Sequence, residues 1–379
     1  MVMAEVAWRV PSAAPGIDEG DIEAVGAVLR SGVLAGGPVA ASLEREFAAY
    51  CGARNAVALS SGTAALVLAG QALGLGRGDT VLVAGFTFAA SANAFLSLGC
   101  DVVPVDVDAG TMNIDEIAFS AALVDHPQAE AVVVVDLFGS TAGTGAVIDA
   151  ARRAGLAVIE DAAQAHGAAV EGGGGLVGSR ADATTFSLYA TKNMAAGEGG
   201  LLTTGRDNVA ASVRRLRNHG SVEQYHHEVV GLNHRLPEMA AALARRQLAR
   251  LDQANARRRS NARALAEWCS QAWGSDVVIP PQAWTGDPHH VFHQFTVRFP
   301  TSGCRDAVAA QLRQAGVDVR RFYPYTVAEL PGVTVRRAPT AAALRDTVLS
   351  LPVHPGLTAS QLAYLGETVV STRLPVAAR

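Results

Sequence analysis

Lysine is almost absent from this chain. Of 31 basic residues in 379, only Lys192 is not arginine. Arginine supplies positive charge as well as lysine does, but its guanidinium keeps its proton and does not condense with an aldehyde. A single retained lysine is therefore a candidate for chemistry that charge alone does not perform; the other reading is a leftover on a solvated surface. Cysteine is also scarce. Cys51, Cys100, Cys269 and Cys304 are far apart and form no CxxC or Cys/His spacing, which excludes a zinc or disulfide framework and fits a reducing compartment. Charged residues make up only 17% and the net charge is −4, so there is no electrostatic case for nucleic acid or an acidic membrane. Apolar runs such as Ala131–Val135 fall far short of the roughly 20 residues that span a bilayer. The N-terminus lacks a basic stretch followed by a long apolar one. The expectation is a cytoplasmic protein.

Hydrophobic residues are plentiful at 49%, and a chain of this length predicts two domains. Thr80–Ala84, Asp101–Val105, Ala131–Asp136, Leu156–Glu160 and Ala183–Leu188 read as strands. Several are apolar at successive positions, as in parallel strands covered on both faces. Helical stretches at Thr63–Leu73, Ser91–Leu98 and Thr144–Ala154 alternate with them, which predicts a doubly wound α/β domain whose ligand sits beyond the carboxyl ends of the strands. An Ala/Arg/Leu pattern from Glu238 to about Leu265 reads as a helix or helix pair leaving that domain. A strand at His293–Phe299 and helices at Arg305–Ala315 and Ala359–Thr372 suggest a smaller α+β domain. The expected division is 1–245 and 246–379. Gly172–Gly175 reads as a hairpin turn, and Trp268, Trp273 and Trp284 as core of the smaller domain.

Three motifs carry chemistry. Ser60-Ser61-Gly62-Thr63 precedes a helix and offers either an ordinary hydroxyl cap or a phosphate cradle of free backbone N–H groups. Glu160 and Asp161 end a buried strand, where a carboxylate either caps the next helix or meets a cation such as a pyridinium nitrogen. Ser187 and Lys192 follow another strand, placing a hydroxyl and an amine where one ligand could meet both. Phosphate cradle, carboxylate and lone lysine, in that order, match the needs of pyridoxal 5'-phosphate.

Longer stretches extend these motifs: SSGTAAL (60–66), GFTFAASANA (85–94), VDVDAGTMNID (105–115), IEDAAQAHGA (159–168), FSLYATKNMAAGEGG (186–200), LRNHG (216–220) and GLNHRLPEMAAAL (231–243). On them the chain resembles the DegT/DnrJ/EryC1/StrS sugar aminotransferases, pyridoxal-phosphate enzymes of the aspartate-aminotransferase fold (fold type I), over nearly its whole length. The resemblance implies a mostly parallel central sheet in the large domain. It implies that Lys192 holds the cofactor through an imine and then moves the substrate proton, and that Asp161 pairs with the ring nitrogen. Gln164 would meet the ring hydroxyl, Gly62, Thr63 and Ser187 the phosphate, and Phe88 the open ring face. Asn233 would reach the phosphate of a neighbouring subunit's cofactor, which implies a homodimer. His290, Phe292, His293, Tyr323 and Tyr325 would line the sugar site, and Arg235 and Arg217 could meet a nucleotide diphosphate.

The expected reaction moves an amino group from glutamate or glutamine to a keto-sugar, with a nucleotide-linked keto-deoxyhexose as the expected acceptor, through pyridoxamine 5'-phosphate. The product would serve antibiotic glycosylation or surface polysaccharide. A keto-cyclitol acceptor and a cofactor-binding regulator without turnover are the alternatives. A nicotinamide oxidoreductase is excluded, because no GxGxxG follows the first strand. His234 and Leu236 replace the Tyr and Met usual in relatives, and Ala84-Gly85 a usual Pro-Ser. Lys192 itself separates the chain from relatives that carry histidine there and deoxygenate the sugar.

Overall fold

A computed structural model describes residues 8–280, 287–334 and 337–375; Trp284 lies outside them. The described chain opens with helices α1 (Glu19–Ser31) and α2 (Pro38–Cys51). Strands and helices then alternate: β1 (Asn55–Leu59), α3 (Gly62–Ala72), β2 (Thr80–Ala84), α4 (Ala90–Leu98), β3 (Asp101–Val105), α5 (Glu116–Asp125), β4 (Ala129–Val135), α6 (Thr144–Arg153) and β5 (Ala157–Asp161). β6 (Ala183–Ser187), β7 (Gly200–Thr204) and α7 (Asp207–Leu216) follow. A small hairpin, β8 (Ser221–Glu223) with β9 (His226–His227), precedes α8 (Glu238–Leu248).

Seven strands form one sheet in the order β1-β7-β6-β5-β4-β2-β3. β2 to β6 pair in parallel, while β7 is antiparallel to both β6 and β1. All five expected strands are present, and β1 and β7 are added to them. Their composition explains the burial. Every residue from Ala131 to Val135 of β4 is buried, and β-branched side chains pack well on a pleated surface covered on both sides. The covering helices are amphipathic: α6 buries Val147, Ile148 and Ala151, and α7 buries Val209, Ala210, Val213 and Leu216. Gly172–Gly175 all have positive φ in a turn closed by the Ala169–Leu176 bridge. That is the hairpin expected from the sequence.

The Glu238–Leu265 stretch resolves into two helices, α8 and α9 (Leu251–Trp273). Beyond them, β10 (Phe295–Arg298) pairs antiparallel with β11 (Val348–Leu351), flanked in sequence by α10 (Ser302–Gln314), α11 (Pro339–Thr347) and α12 (Ala359–Ser371). Leu265, Cys269, Trp273, Phe295, Val297, Leu312 and Leu365 form a separate core here, with Trp268 packed against it. Val10 joins this core and bridges to Val317, so the N-terminal segment reaches across to the C-terminal unit. Among the described residues no helix is long and apolar enough to cross a membrane.

Candidate active site

A cavity of about 420 Å³ opens beyond the carboxyl ends of β4, β5 and β6, lined by Thr63, Phe88, Asp161, Gln164, Ser187 and Lys192 among others. One wall is the start of α3. Ser61 caps that helix: its Oγ accepts from the Ala64 N–H at 3.0 Å. The capping reading of this motif is therefore right for Ser61, and the cap leaves the N–H groups of Gly62 and Thr63 without acceptors among the described residues. Ser187, at the end of β6, lies directly against this turn. A Cβ on Gly62 would sit 2.8 Å from the Ser187 Cβ, and one on Gly200 would sit 2.3 Å from the Ser61 carbonyl oxygen. Glycine at both positions lets two free amides, a threonine and a serine hydroxyl converge at a positive helix end, an arrangement suited to phosphate.

Asp161 closes β5 and is only 6% exposed. Its carboxylate accepts from Ser91 Oγ at 2.7 Å and from the Ala163 N–H at 3.1 Å. Among the described residues no cation pairs with it within 4 Å. Burial raises its pKa above the ordinary carboxylate value, with the Ser91 and Ala163 hydrogen bonds opposing. The neighbouring Glu160 points to the other side of the strand, where Arg180 pairs with it and with Asp136.

Lys192 follows β6 in a tight turn closed by its own N–H on the Tyr189 carbonyl at 2.8 Å. Burial lowers its pKa from 10.5 to about 8, and Asp161 opposes the shift. Asn193, next along the chain, anchors the turn. Its Nδ2 donates to Asn255 on α9 at 2.9 Å and to the Val291 carbonyl at 3.1 Å, and its Oδ1 lies 3.1 Å from His293 Nδ1. Gln164 is fixed at both ends: Oε1 accepts from the Phe138 N–H at 2.6 Å and Nε2 donates to the Tyr323 hydroxyl at 2.6 Å. Phe88 is 57% exposed at the cavity mouth, with its ring centroid 5.6 Å from that of Tyr323.

The structure thus gathers Gly62, Thr63, Phe88, Asp161, Gln164, Ser187, Lys192, Tyr323 and His293 around one cavity, with Glu198 also on its wall. His290 is not there. Its ring stacks on Phe292 at 3.8 Å and its Nδ1 accepts from the Phe292 N–H, so the side chain is spent on shaping the turn and lines a different pocket. Arg235 is also elsewhere, in a surface pocket with Arg214 and Asn218, where its guanidinium donates to Asn233 and Asn218. Arg217 is outside the cavity lining too; its Nη1 pairs with Glu44 and donates to the Ala58 carbonyl. Asn233 is exposed on the same surface, and Tyr325 is 66% exposed and outside the cavity lining.

Residues 15–370 match the DegT/DnrJ/EryC1/StrS aminotransferase family. The chain belongs to that family. It is an aminotransferase. It is 38% identical to the UDP-N-acetyl-3-dehydro-alpha-D-glucosamine 3-aminotransferase of Acidithiobacillus ferrooxidans, over 87% of this chain and 88% of that one. It is 36% identical to a protein of Geobacillus stearothermophilus named pleiotropic regulatory protein, over 90% and 91%. The crystal structure of S. venezuelae DesV in complex with a ketimine intermediate superposes with a TM-score of 0.84 at 36% identity, over 92% of this chain and 93% of that one.

Sequence reasoning missed several residues that build this aminotransferase site. Ser91 orients Asp161 and is itself 3.0 Å from the Thr87 hydroxyl. Both lie in GFTFAASANA, so that stretch held the signal. Asn193 was readable only as the neighbour of Lys192. Asn255 and Arg258, which tie α9 to the turns carrying His166 and His293, left no local signal at all.

Proposed function

We propose that this aminotransferase uses pyridoxal 5'-phosphate and acts on a nucleotide-linked keto-sugar, with glutamate or glutamine as amino donor. The observation that carries the cofactor assignment is the buried Asp161 carboxylate, fixed by two hydrogen bonds yet lacking a cationic partner within 4 Å among the described residues. Lys192 offsets this charge only from beyond 4 Å; a buried carboxylate without a close cation is costly, and a protonated pyridine nitrogen would supply one. The fit extends across the cavity. Gly62, Thr63 and Ser187 would hold the phosphate, Gln164 would face the ring hydroxyl, Phe88 would cover the open face, and Lys192 would bind the aldehyde carbon.

When bound, the group supplies an electron sink for the carbon that loses its proton. The chain supplies the rest. Asp161 holds a proton on the ring nitrogen. Lys192, with its pKa near 8, has an appreciable neutral fraction at pH 7, so its Nζ can take a proton from a substrate carbon and return it. Acid/base help of this kind contributes about 10²–10⁴-fold in rate. Ser91 and the Asn193 hydrogen bonds keep the two groups in place.

The acceptor class rests on the relatives, one of which is named for a UDP-linked 3-dehydro-sugar. The second subunit rests on the surface around Asn233. Tyr225, Val230 and Leu232 are 87%, 90% and 61% exposed on the same segment, an apolar patch that a homodimer would cover while bringing Asn233 to the partner's phosphate. Domains meeting near residue 245 and a cytoplasmic setting complete the proposal; the four cysteines are free, as a reducing compartment requires.

The test is a single-turnover reaction. Enzyme carrying pyridoxamine phosphate is mixed with nucleotide-linked keto-sugars and, separately, with keto-cyclitols, and absorbance and product mass are followed. An aminated nucleotide-sugar is expected. Amination of the cyclitol alone would replace the acceptor. The relative named as a regulatory protein favours a second reading, a regulator without turnover. In that case Lys192→Ala would leave its biological effect intact.

A further inference from the structure

His293 lines the same cavity as Lys192 and is 6% exposed. Its Nδ1 lies 3.1 Å from the Asn193 Oδ1, and among the described residues its Nε2 has no hydrogen-bond partner. Unlike both ring nitrogens of His166, that Nε2 is not sealed from solvent. Which ring nitrogen carries the proton decides whether the cavity wall offers a donor or an acceptor here.

The hydrogen bonds behind the ring fix the answer. Asn255 Nδ2 donates to the His166 carbonyl at 2.8 Å. A carbonyl only accepts, so this end of Asn255 is its NH2 group and the other end is its oxygen. That oxygen accepts from Asn193 Nδ2 at 2.9 Å, and the second hydrogen of the same NH2 group goes to the Val291 carbonyl at 3.1 Å. Asn193 therefore turns its oxygen to His293, and the proton between them belongs to His293 Nδ1. Turning either amide round would set oxygen against oxygen. Asn193 and Asn255 are buried, where an unmade hydrogen bond is costly. Burial, with the nearby Lys192 and Arg258 charges, holds the His293 pKa well below its ordinary value, so the ring is neutral and Nε2 keeps its lone pair.

Nε2 can thus receive a hydrogen bond and cannot give one. Phosphate, carboxylate and ketone oxygens only accept, and this position offers them nothing. Hydroxyl groups donate, and a keto-sugar carries them beside its ketone. A histidine free to exchange tautomers would present either polarity; one held by two asparagines presents a single one. Asn255 sits on α9, far along the chain from Lys192, and reaches the ring only through Asn193.

We propose that Asn193 and Asn255 are positioning residues that lock His293 in its Nδ1–H tautomer, so that Nε2 accepts a hydrogen bond from a hydroxyl of the sugar acceptor. The lock is a property of the cofactor-free chain; the hydroxyl contact rests on the keto-sugar reading.

Nitrogen NMR of cofactor-free enzyme, isotopically labelled in its histidine rings, tests the lock. His293 is identified by the signals that vanish in His293→Gln, and couplings to the ring protons distinguish Nδ1 from Nε2. The wild-type ring should show a protonated Nδ1 and a bare Nε2. Asn193→Ala should populate the Nε2–H form, and Asn255→Ala, one hydrogen bond further back, should do so to a smaller extent. An Nε2–H ring in the wild type overturns the proposal, and so does an unchanged tautomer in folded Asn193→Ala. The hydroxyl contact is read in the single-turnover reaction with nucleotide-linked keto-sugars. His293→Leu should slow it ~10-fold, the worth of one neutral hydrogen bond. His293→Gln, whose amide oxygen can take the place of Nε2, should keep most of the wild-type rate. Equal losses in the two variants overturn the contact. An enzyme that aminates no keto-sugar would defeat the acceptor reading and leave the tautomer measurement standing.

Discussion

Titrating Lys192 in the cofactor-free enzyme tests the electrostatics most informatively. An ordinary lysine at 10.5 is neutral in roughly one molecule in 3,000 at pH 7; at about 8 the fraction is about one in ten. The amine should therefore react with an acylating reagent some hundreds of times faster at pH 7 than an exposed lysine in a peptide. The rate should level off above roughly pH 8–9. Because the chain has one lysine, the only other amine is the N-terminus, and mass spectrometry of the Lys192 peptide gives the titration directly. Removing the opposing charge should move the midpoint down, since Asp161 raises the pKa that burial lowers. In Asp161→Asn the curve should shift to lower pH. A midpoint near 10, or an upward shift in the variant, would refute the desolvation argument.

The same variant makes a second prediction. Asp161 has a raised pKa in the folded chain, so the stability it contributes is present below the ordinary carboxylate range and is lost as pH rises through the raised value. Above that value the buried charge weakens the cofactor-free protein. Asp161→Asn should raise its melting temperature by roughly 1–3 °C while turnover falls at least about 100-fold; a lower melting temperature would contradict this. Gly62→Ala places a Cβ 2.8 Å from the Ser187 Cβ. Overpacking of this kind costs about 1–3 kcal/mol and should weaken pyridoxal phosphate binding, read by absorbance titration, at least ~10-fold. Gln164→Ala strands the buried Phe138 N–H, a loss of about 1–3 kcal/mol that a urea unfolding midpoint should report.

The readable part of the site is the part written in contiguous runs. Gly62, Asp161, Ser187 and Lys192 each end or follow a strand or start a helix, and the sheet order alone brings those ends together. His290 and His293 show where such reading fails. They are three residues apart, but Phe292 between them has a positive φ of 44°, and the turn sends His293 to the cavity and His290 away from it. Arg235 and Arg217 lie in well-matched motifs, yet their side chains are committed to Asn218, Asn233 and Glu44, and only coordinates reveal such commitments. β7 follows a glycine turn, ends in two polar threonines and runs against its neighbours, so it lacks the apolar run that marks the parallel strands. Arg258 was hidden among thirty arginines; its isolation from any carboxylate is a tertiary fact.

The central claim is a reversible bond between the Lys192 nitrogen and a pyridoxal aldehyde. Borohydride reduction of enzyme soaked in pyridoxal phosphate, followed by mass spectrometry, should find one pyridoxyl group on the peptide bearing Lys192. An unmodified Lys192 peptide from fully soaked enzyme would contradict the account.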